Sequence, residues 1–517
     1  MDYCGGRLME KKGRLNIVNL NATSSDFSAA SKFWREGMLI FLAVLALSLP
    51  QAALLPLLDR DEPRFAEASR EMLQSGNYVV PTFNHEPRYA KPPLIYWCQA
   101  FSFEIFGENA FAARLPSLLA TAGTALLLFV WGLSLGKDRI GLIAALSYAF
   151  CLQVVQQGRV ATADALLIFF MTLTGLAGWK LLALAKNESS GTNKCWHLWG
   201  TILAFGFGGG FLAKGPEALL PLLPLLICAR SLGGRVLSSF IAIFLLGLFI
   251  VSWWAIPAYI QTNGEYWYEG LGKDVGERMV KGFQGHGATT FLWYLLSIPF
   301  YLLIFWPSAL PWSPLLLTHR KQLFSSWKPD WIDTYLLLNA GLIFLVFSLM
   351  VTKLPHYTLP AFPFMALFFA RRWISTGLTS GIPIKLAWST GIVLAVLTAV
   401  AIPVAFLNHV TPSPIGELVR EAQADGVLTS NTDFALVDFR EPNAIWEMRH
   451  VSKSYGWLIP ESEVVSFLRH PGSHAVILST SLWQKLQADT DPAWKIYEAR
   501  GFNAAKLGPL DLTLVVN

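Results

Sequence analysis

Two acidic residues and nearby cations mark the first place in this sequence where chemistry can occur. Asp61 and Glu62 directly follow an apolar run, Arg64 comes two positions later, and Lys91 precedes two prolines in YAKPPLIYW. A carboxylate beside basic residues at a lipid–water boundary can act as a general base or a metal ligand. The alternative for Asp61 is a helix cap. The alternative for Lys91 is a side chain extended along the membrane interface.

Three further ionisable residues interrupt apolar stretches in the middle of the chain. Asp164 in GRVATADALL opens an apolar run, whereas Lys214 and Glu217 in FLAKGPEALL stand between two short ones. Asp164 is a candidate second acid, with a helix N-cap as the alternative. Lys214 is a candidate binding residue that can also simply pair with Glu217 on a turn.

A last polar group combines three different side chains beside a proline turn. Lys353, His356 and Tyr357 follow one another closely in VTKLPHYTLP. A cation, an imidazole and a phenol together are typical of a site that binds an oxyanion. The alternative is that the three residues only anchor helix ends at the membrane interface.

The composition shows what kind of protein carries these residues. The chain has 517 residues, of which 53% are hydrophobic and only 15% are charged, and its mean hydropathy is +0.43. Soluble proteins carry about 25% charged residues, so a soluble enzyme, a disordered protein and a nucleic-acid binder are excluded. The five cysteines form no CxxC pair, which argues against a disulfide framework or a zinc site. The sequence therefore predicts a polytopic α-helical membrane protein.

The apolar runs predict about eleven transmembrane helices, because crossing the hydrocarbon core takes about 20 mostly apolar residues. Residues 1–36 are polar and read as a cytoplasmic tail, since a signal peptide has a shorter apolar region nearer the start. The transmembrane domain spans 37–407. The clear runs are 38–58, 115–135, 140–158, 236–260, 291–318, 334–352 and 386–407, and the weaker ones are 165–185, 198–213, 218–229 and 357–370.

Lysine and arginine placement orients these spans. With a cytoplasmic N-terminus, the inner segments are the basic ones: 1–36, 136–139, 180–194, 230–235, 319–330 and 371–385. The outer parts are then a first loop (59–114), a second loop (261–290) and a C-terminal domain (408–517). All the unusual ionisable residues named above fall on this outer face.

Two outer parts have predictable secondary structure. After Pro63, the first loop predicts an amphipathic helix on the membrane surface, with Phe65 and Met72 on one face and Glu67 and Arg70 nearer the other. In the C-terminal domain, TDFALVDF, SHAVILST and DLTLVV read as strands and ESEVVSFLRH as a helix. We expect a small α/β domain there.

Several stretches resemble one family of membrane enzymes. They are RDEPRFAEASREML, SGNYVVP, YAKPPLIYW, FGENAFAARLPS, RVATADALL, FLAKGPEALLPLL, LPWSP and KLPHYTLP. Over about residues 37–370 they look like the polyprenyl-phosphate-sugar-dependent glycosyltransferases of the protein O-mannosyltransferase superfamily. Within it they most resemble the bacterial aminoarabinose transferase type, which modifies lipid A.

The resemblance implies a GT-C fold, meaning a bundle of membrane helices with juxtamembrane amphipathic helices and an outward-facing active site. It makes Asp61 the counterpart of the catalytic first-loop aspartate and Asp164 the second acid. Lys91 matches the lysine that holds the donor phosphate, and Arg278 in VGERM matches another phosphate-binding residue.

The resemblance also bears on metal binding. His286 in FQGHG resembles a histidine that binds a divalent metal together with a glutamate just before the motif lysine. Here Ala90 occupies that glutamate position, although His85 and Glu86 lie close by in sequence. A metal is thus the one candidate cofactor, and the sequence lacks its second family ligand.

The expected activity is the inverting transfer of a sugar from a polyprenyl phosphate to a lipid A or lipopolysaccharide acceptor. Its partners are the donor, the acceptor and membrane lipids, with no nucleic acid, and its location is the outer face of a bacterial inner membrane. Transfer of mannose to protein is the first alternative. A lipid or sugar transporter would place polar residues near the bilayer midplane and show repeated halves, and the sequence shows neither; a structural or receptor role is the remaining alternative.

Overall fold

The computed structural model describes most of the chain as helix, with a small sheet domain at the C-terminal end. The structure describes residues 24–57, 61–136, 138–186, 193–276, 290–324, 327–377, 382–407, 414–437, 441–452, 456–486, 491–503 and 508–517.

Within these residues, six helices are long and apolar enough to cross a membrane. Lipid offers no hydrogen bonds to the backbone, so such stretches satisfy their polar groups internally as helices. The prediction of a polytopic helical membrane protein is confirmed. The six helices are Trp34–Leu54, Ala110–Ser134, Asp164–Lys186, Gly234–Gln261, Phe291–Ser308 and Trp331–Leu349, and the shorter apolar segments are Arg139–Ala149, Pro216–Ala229 and Lys385–Ala401.

The helices as the structure bounds them overlap each of the eleven predicted runs. The α-helices are Ser24–Leu54, Asp61–Ser75, Leu94–Phe106, Ala110–Ser134, Asp138–Ala149, Leu152–Gln157, Asp164–Lys186, Asn193–Lys214, Leu222–Ala229, Gly234–Gln261, Phe291–Ser297, Phe300–Ser308, Ser313–Thr318, Arg320–Phe324, Trp331–Leu349, Phe362–Ser375, Ile382–Leu407, Pro414–Ala424, Pro442–Met448, Val464–Arg469 and Thr480–Leu486. Short 3-10 turns span Pro216–Leu219, Arg230–Leu232, Pro355–Ala361 and Glu461–Glu463, and a π-helix spans Trp267–Val275.

Two of the clear predicted runs are not continuous helices. The run 291–318 is divided near Pro299 and Pro311, because proline lacks the N–H that a helix interior needs. The run 140–158 is divided at Cys151, where the next backbone N–H, of Leu152, donates to the carbonyl of Leu310 (2.8 Å) instead.

The helix Asp164–Lys186 lies at the centre of the bundle, between Ala110–Ser134 and Asn193–Lys214. Ala110–Ser134 also packs closely on the following helix at a pair of glycines. A Cβ atom added to Gly132 would lie 2.3 Å from the Cα of Gly141. Only glycine therefore allows these two helices to approach so closely.

The helix of the first loop, Asp61–Ser75, is buried on both faces. Phe65 and Met72 pack into a core with residues of the next helix, as predicted. Glu67, Arg70 and Glu71 are buried as well, so protein covers both faces of the helix, and its place on the membrane surface stays a prediction. The C-terminal domain covers the charged face, which the periodicity of the helix alone could not indicate.

After this helix, strands β1 (Thr82–Phe83) and β2 (Glu86–Pro87) form a small antiparallel hairpin. The C-terminal domain holds the second sheet. Its strands are β3 (Asp433–Leu436), β4 (Trp457–Leu458), β5 (His474–Ser479), β6 (Lys495–Asn503) and β7 (Gly508–Val516), in the spatial order β4-β3-β5-β7-β6. Strand β3 is parallel to β4 and β5, whereas β7 is antiparallel to β5 and β6.

The central strands of the C-terminal sheet carry apolar side chains on both faces. Helices cover both faces and bury these side chains. Phe434 and Leu436 face a core shared with the helices Pro414–Ala424 and Pro442–Met448. Ala435 and Val437 face the core under the two remaining helices. The predicted α/β domain is confirmed, as are the strands at TDFALVDF, SHAVILST and DLTLVV and the helix at ESEVVSFLRH.

The C-terminal domain packs against the first loop through its helix Pro442–Met448. The Trp446 ring lies 5.9 Å from the Phe103 ring. Arg449 stacks on Trp446 at 3.8 Å and donates a hydrogen bond to the Glu108 carbonyl (2.9 Å). These contacts fix the domain over the loop that carries Asp61.

A polar contact supplements this apolar one at the hairpin. The Asn84 side chain donates to the carbonyl of Gly456 (3.1 Å) and accepts from its N–H (3.0 Å). Asn84 has a backbone φ of 54°, a left-handed conformation that asparagine adopts more readily than most residues.

Candidate active site

Asp61 begins the helix of the first loop with its carboxylate accessible. Its side chain is 58% exposed, and its ion pair with Arg64 is long, at 3.8 Å. Both residues lie in the first turn, where the helix dipole favours an anion. An accessible carboxylate in a fixed position is able to take a proton or hold a substrate group.

Glu62 points away from this opening into a buried ion pair. Its two oxygens accept hydrogen bonds from Arg114 at 2.7 and 2.6 Å, and one of them also accepts the N–H of Ala161. Arg114 is completely buried, and it donates further to backbone carbonyls at the end of the first membrane helix, including Leu55 (2.7 Å) and Pro56 (2.6 Å). The pair thus fixes the chain on both sides of Asp61.

Asp164 and Lys214 are fifty residues apart in the chain, and their side chains form an ion pair. Asp164 starts one helix and Lys214 ends another, so each charge complements the dipole of its own helix. Their side chains lie 2.8 Å apart, the second Asp164 oxygen accepts from Thr162 (2.9 Å), and Glu217 lies 3.2 Å from Lys214. Both carboxylate oxygens of Asp164 are therefore engaged, unlike those of Asp61.

Lys91 and Lys214 line the same small cavity of about 30 Å³. Trp254 and Tyr266 form another wall of this cavity. The Tyr266 hydroxyl donates to the backbone carbonyl of Lys91 at 2.6 Å, which fixes the lysine backbone. The predicted binding residues Lys91 and Lys214 are thus brought together.

The turn that holds His356 lies beside the Asp164 pair. The Lys214 ammonium is 5.2 Å from the centre of the Tyr357 ring, and His356 packs edge-on against that ring. Burial lowers the pKa of His356, and the Asp164 carboxylate opposes this effect. The imidazole is therefore neutral near pH 7.

Lys353 has a different surrounding. Its ammonium donates to the backbone carbonyls of Ser348 (2.7 Å) and Met350 (2.6 Å) at the end of the helix Trp331–Leu349. This contact is the one expected of a residue that anchors a helix end. Its role in substrate binding stays a prediction.

The two site residues predicted on the second outer loop, Arg278 and His286, lie outside the described residues. Within the described part of the chain, no group of three His, Cys, Asp or Glu side chains could hold a metal ion. Because Ala90 also supplies no ligand, we derive no step that uses a metal.

Sequence reasoning did not identify Arg114 or Thr162, although both lie inside the quoted motifs. Arg114 stands in an otherwise apolar helix, in FGENAFAARLPS. A buried arginine in such a helix needs an acidic partner, and this was the available signal. Its partner Glu62 lies 52 residues away, which no local periodicity encodes.

The site therefore combines one accessible carboxylate with a buried ion pair behind it and a cation-lined cavity. It lies at the end of the bundle that carries the C-terminal domain. Such an arrangement can bind an anionic group while a carboxylate activates or orients a nucleophile.

Comparison with known proteins shows what this chain is similar to. Residues 90–256 match the family described as dolichyl-phosphate-mannose-protein mannosyltransferase. A curated protein of Edwardsiella ictaluri, named undecaprenyl phosphate-alpha-4-amino-4-deoxy-L-arabinose arabinosyl transferase, is 32% identical over 60% of this chain. A protein of the same name from Erwinia tasmaniensis is 29% identical over 72% of it.

These matches cover only part of the relatives. The matched region spans 54% of the Edwardsiella protein and 65% of the Erwinia protein. They nevertheless confirm the resemblance that the motifs indicate, both to the mannosyltransferase family and to the aminoarabinose type.

A solved structure has the same fold over nearly the whole chain. The crystal structure of ArnT from Cupriavidus metallidurans bound to undecaprenyl phosphate superposes with a TM-score of 0.70 and 16% sequence identity. The match covers 96% of this chain and 98% of that protein. The GT-C fold is thereby confirmed, with the C-terminal domain included.

Proposed function

Because residues 90–256 match the dolichyl-phosphate-mannose-protein mannosyltransferase family, we propose that the protein is a glycosyltransferase that uses a polyprenyl-phosphate sugar. The donor is undecaprenyl phosphate carrying 4-amino-4-deoxy-L-arabinose, the substrate in the names of the curated relatives. The acceptor is lipid A or a similar lipopolysaccharide. The observation that carries the proposal is the accessible Asp61 at the same end of the bundle as the cavity lined by Lys91 and Lys214.

An apolar cavity supports a lipid-linked donor. It has a volume of about 360 Å³ and is lined by apolar side chains of three neighbouring helices, among them Leu203, Phe207, Leu226 and Phe240. Phe207 precedes Lys214 by seven residues, which is about 10 Å along a helix at 1.5 Å per residue. An isoprenoid chain can therefore occupy this cavity while its phosphate lies near the lysines.

The chemistry follows from the charges at the site. The acceptor oxygen attacks the anomeric carbon from the side opposite the phosphate, so the configuration inverts. The bond from this carbon to the phosphate oxygen breaks, and its electron pair leaves with the lipid phosphate. Lys91 stabilises the resulting dianion. Lys214 contributes less positive charge, because Asp164 and Glu217 already neutralise it.

Asp61 acts on the acceptor. When the acceptor is a hydroxyl group, the Asp61 carboxylate takes its proton as the oxygen attacks. When the acceptor is a phosphate, its oxygen is already ionised and Asp61 positions the reacting groups. Asp164 holds Lys214 and the adjacent turn in place, so we assign it a positioning role beside its predicted catalytic one.

We place the site on the outer face of a bacterial inner membrane, with eleven crossings, a cytoplasmic N-terminus and a periplasmic C-terminal domain. The alternation of basic segments supports this topology. A reporter fused after Asn517 is expected to be periplasmic, and one inserted in the loop 319–330 cytoplasmic. Labelling of position 325 from outside intact cells would contradict this topology.

The activity can be tested with purified full-length protein in detergent or liposomes. Undecaprenyl-phosphate aminoarabinose and lipid A are supplied, and mass spectrometry follows the gain of one aminoarabinose on lipid A. Polyprenyl-phosphate mannose with a Ser/Thr-rich peptide is the parallel reaction, because the matched family is described as protein mannosyltransferases. Transfer in the second reaction alone would replace the lipid A acceptor with protein.

A further inference from the structure

Arg88 interacts electrostatically with Asp61, although none of the motifs quoted above includes it. Its guanidinium carbon is 5.3 Å from the centre of the Phe65 ring. Phe65 is one helical turn after Asp61, and residues four apart share a face of a helix with their Cβ atoms about 5–6 Å apart. The guanidinium therefore stands along the same helix face as the accessible carboxylate.

Two further contacts hold Arg88 in a fixed orientation. Its Nε donates a hydrogen bond to the Tyr96 hydroxyl at 3.1 Å. The Tyr96 ring is itself stacked on Phe65, with the ring centres 5.5 Å apart. The stem and the Nε atom of Arg88 are thus immobilised by two aromatic side chains.

The terminal amino groups of Arg88 remain available. In the part of the chain that the structure describes, the Tyr96 hydroxyl is the one hydrogen-bond partner of the Arg88 side chain, which is only partly buried. Burial disfavours the charge of Arg88, but the Tyr96 hydroxyl and the Asp61 carboxylate outweigh this effect and raise its pKa. The group is a cation, and among the described residues neither of its two terminal nitrogens has a hydrogen-bond partner.

We propose that Arg88 binds a phosphate group of a lipid substrate next to Asp61, through the two terminal nitrogens of its guanidinium. A planar guanidinium with two free donors matches two phosphate oxygens at once. This inference rests on the proposed function, because both the donor and the acceptor in that reaction carry phosphate. The shared chemistry is a phosphate ester on a lipid.

Arg88 complements Lys91 rather than duplicating it. Lys91 lies three residues later and lines the cavity with Tyr266. Arg88 stands next to Phe65, which lies on the helix that begins at Asp61. A phosphate held there brings its ester oxygen toward the residue that acts on the acceptor. Arg88 is therefore a substrate-binding residue in addition to the predicted set.

The test compares binding of charged and uncharged lipids to purified full-length protein. One arm uses undecaprenyl phosphate against undecaprenol, and the other uses lipid A against dephosphorylated lipid A. A hydrogen bond to a charged group contributes about 1.5–3 kcal/mol, so its loss weakens binding by about 10- to 100-fold. Wild-type protein should bind each phosphorylated lipid more tightly than its uncharged counterpart, and this difference is the phosphate-dependent gain in affinity. We expect Arg88→Gln to lose the gain in one arm, which shows whether Arg88 binds the phosphate of the donor or that of the acceptor.

Matched variants separate this role from a structural one. Arg500→Gln removes the same charge from an exposed position on β6 and is expected to leave both arms unchanged. Arg88→Met keeps the stem packed on Phe65 without the charge, and it replaces Arg88→Gln if that variant is unstable. A structural defect would weaken the binding of charged and uncharged lipids equally.

The outcomes distinguish this proposal from the function that it rests on. If the Arg88 variants keep the phosphate-dependent gain within twofold in both arms, or weaken both lipid types equally, the inference is overturned. If wild-type protein transfers no sugar but its phosphate binding depends on Arg88, the inference holds and the proposed transfer fails.

Discussion

Arg114 and Glu62 lie 52 residues apart in the chain, yet two hydrogen bonds of 2.7 and 2.6 Å join them in the protein interior. Glu62 adjoins Asp61, and Arg114 also holds the backbone carbonyls that precede it. The accessible carboxylate is therefore rigid because its neighbour is buried.

We predict that Arg114→Gln strongly destabilises the protein. The variant leaves the Glu62 carboxylate buried without its partner, and breaking such a pair costs about 3–5 kcal/mol. Thermal unfolding in detergent, followed by size-exclusion chromatography, should show a lower midpoint. Glu62→Gln keeps an acceptor for the Ala161 N–H but leaves the buried Arg114 charge without its partner, so it should lower the midpoint as well. An unchanged midpoint for Arg114→Gln would show that the pair does not support the fold.

Asp61→Asn is expected to lower the rate of sugar transfer while leaving folding intact. Asparagine caps a helix about as well as aspartate, but it lacks the charge and basicity of a general base, which typically contribute about 10²- to 10⁴-fold in rate. Turnover of purified, monodisperse variant and wild type measures the effect. Activity within a few-fold of wild type would remove Asp61 from the reaction.

His356 predicts a pH dependence of stability. Burial lowers its pKa below the ordinary value of 6.5, so the unfolded chain binds a proton at a higher pH than the folded protein. The free energy of unfolding therefore falls as the pH drops from 6.5 toward the folded-state pKa. It is complete again above about pH 6.5, the ordinary pKa that the unfolded chain has. The melting temperature of wild type should fall more than that of His356→Asn between pH 7.5 and 5.5. Parallel curves for the two proteins would contradict the prediction.

Asn84→Ala should loosen the C-terminal domain from the first loop. The change removes two hydrogen bonds to Gly456, each contributing about 0.5–1.5 kcal/mol. Limited proteolysis between the transmembrane and C-terminal domains should become faster. Asn77→Ala, which removes side-chain bonds only within the first loop, is the control. Equal proteolysis of both variants would show that the Asn84 contact does not hold the domains together.

Much of the fold was predictable because it is encoded locally. Apolar runs gave the membrane helices, and alternating segments gave β3, β5 and β7. Strand β6 was missed, since KIYEARGFN mixes charges and glycine and becomes a strand through its nine-residue pairing with β7. The burial of Glu67 was likewise not predictable, because the covering helix comes almost 400 residues later.

The candidate site was also predictable only in part. Asp61, Asp164 and Lys214 were recognised from motifs, but the sequence paired Lys214 only with its neighbour Glu217. The structure adds the 2.8 Å contact with Asp164, which depends on how two helices pack. Arg88 was overlooked because its significance comes from Phe65, more than twenty residues earlier.

The position of the C-terminal domain sets an order of events during biosynthesis. A ribosome produces the helix Asp61–Ser75 early and Arg449 late, so the charged face of that helix lacks its cover until the last fifth of the chain has been synthesised. Only then do Glu67 and Arg70 become buried beneath Pro442–Met448. The surroundings of Asp61 are thus completed only when translation is almost finished, and a nascent chain halted before residue 440 lacks the cover of the helix that begins at Asp61.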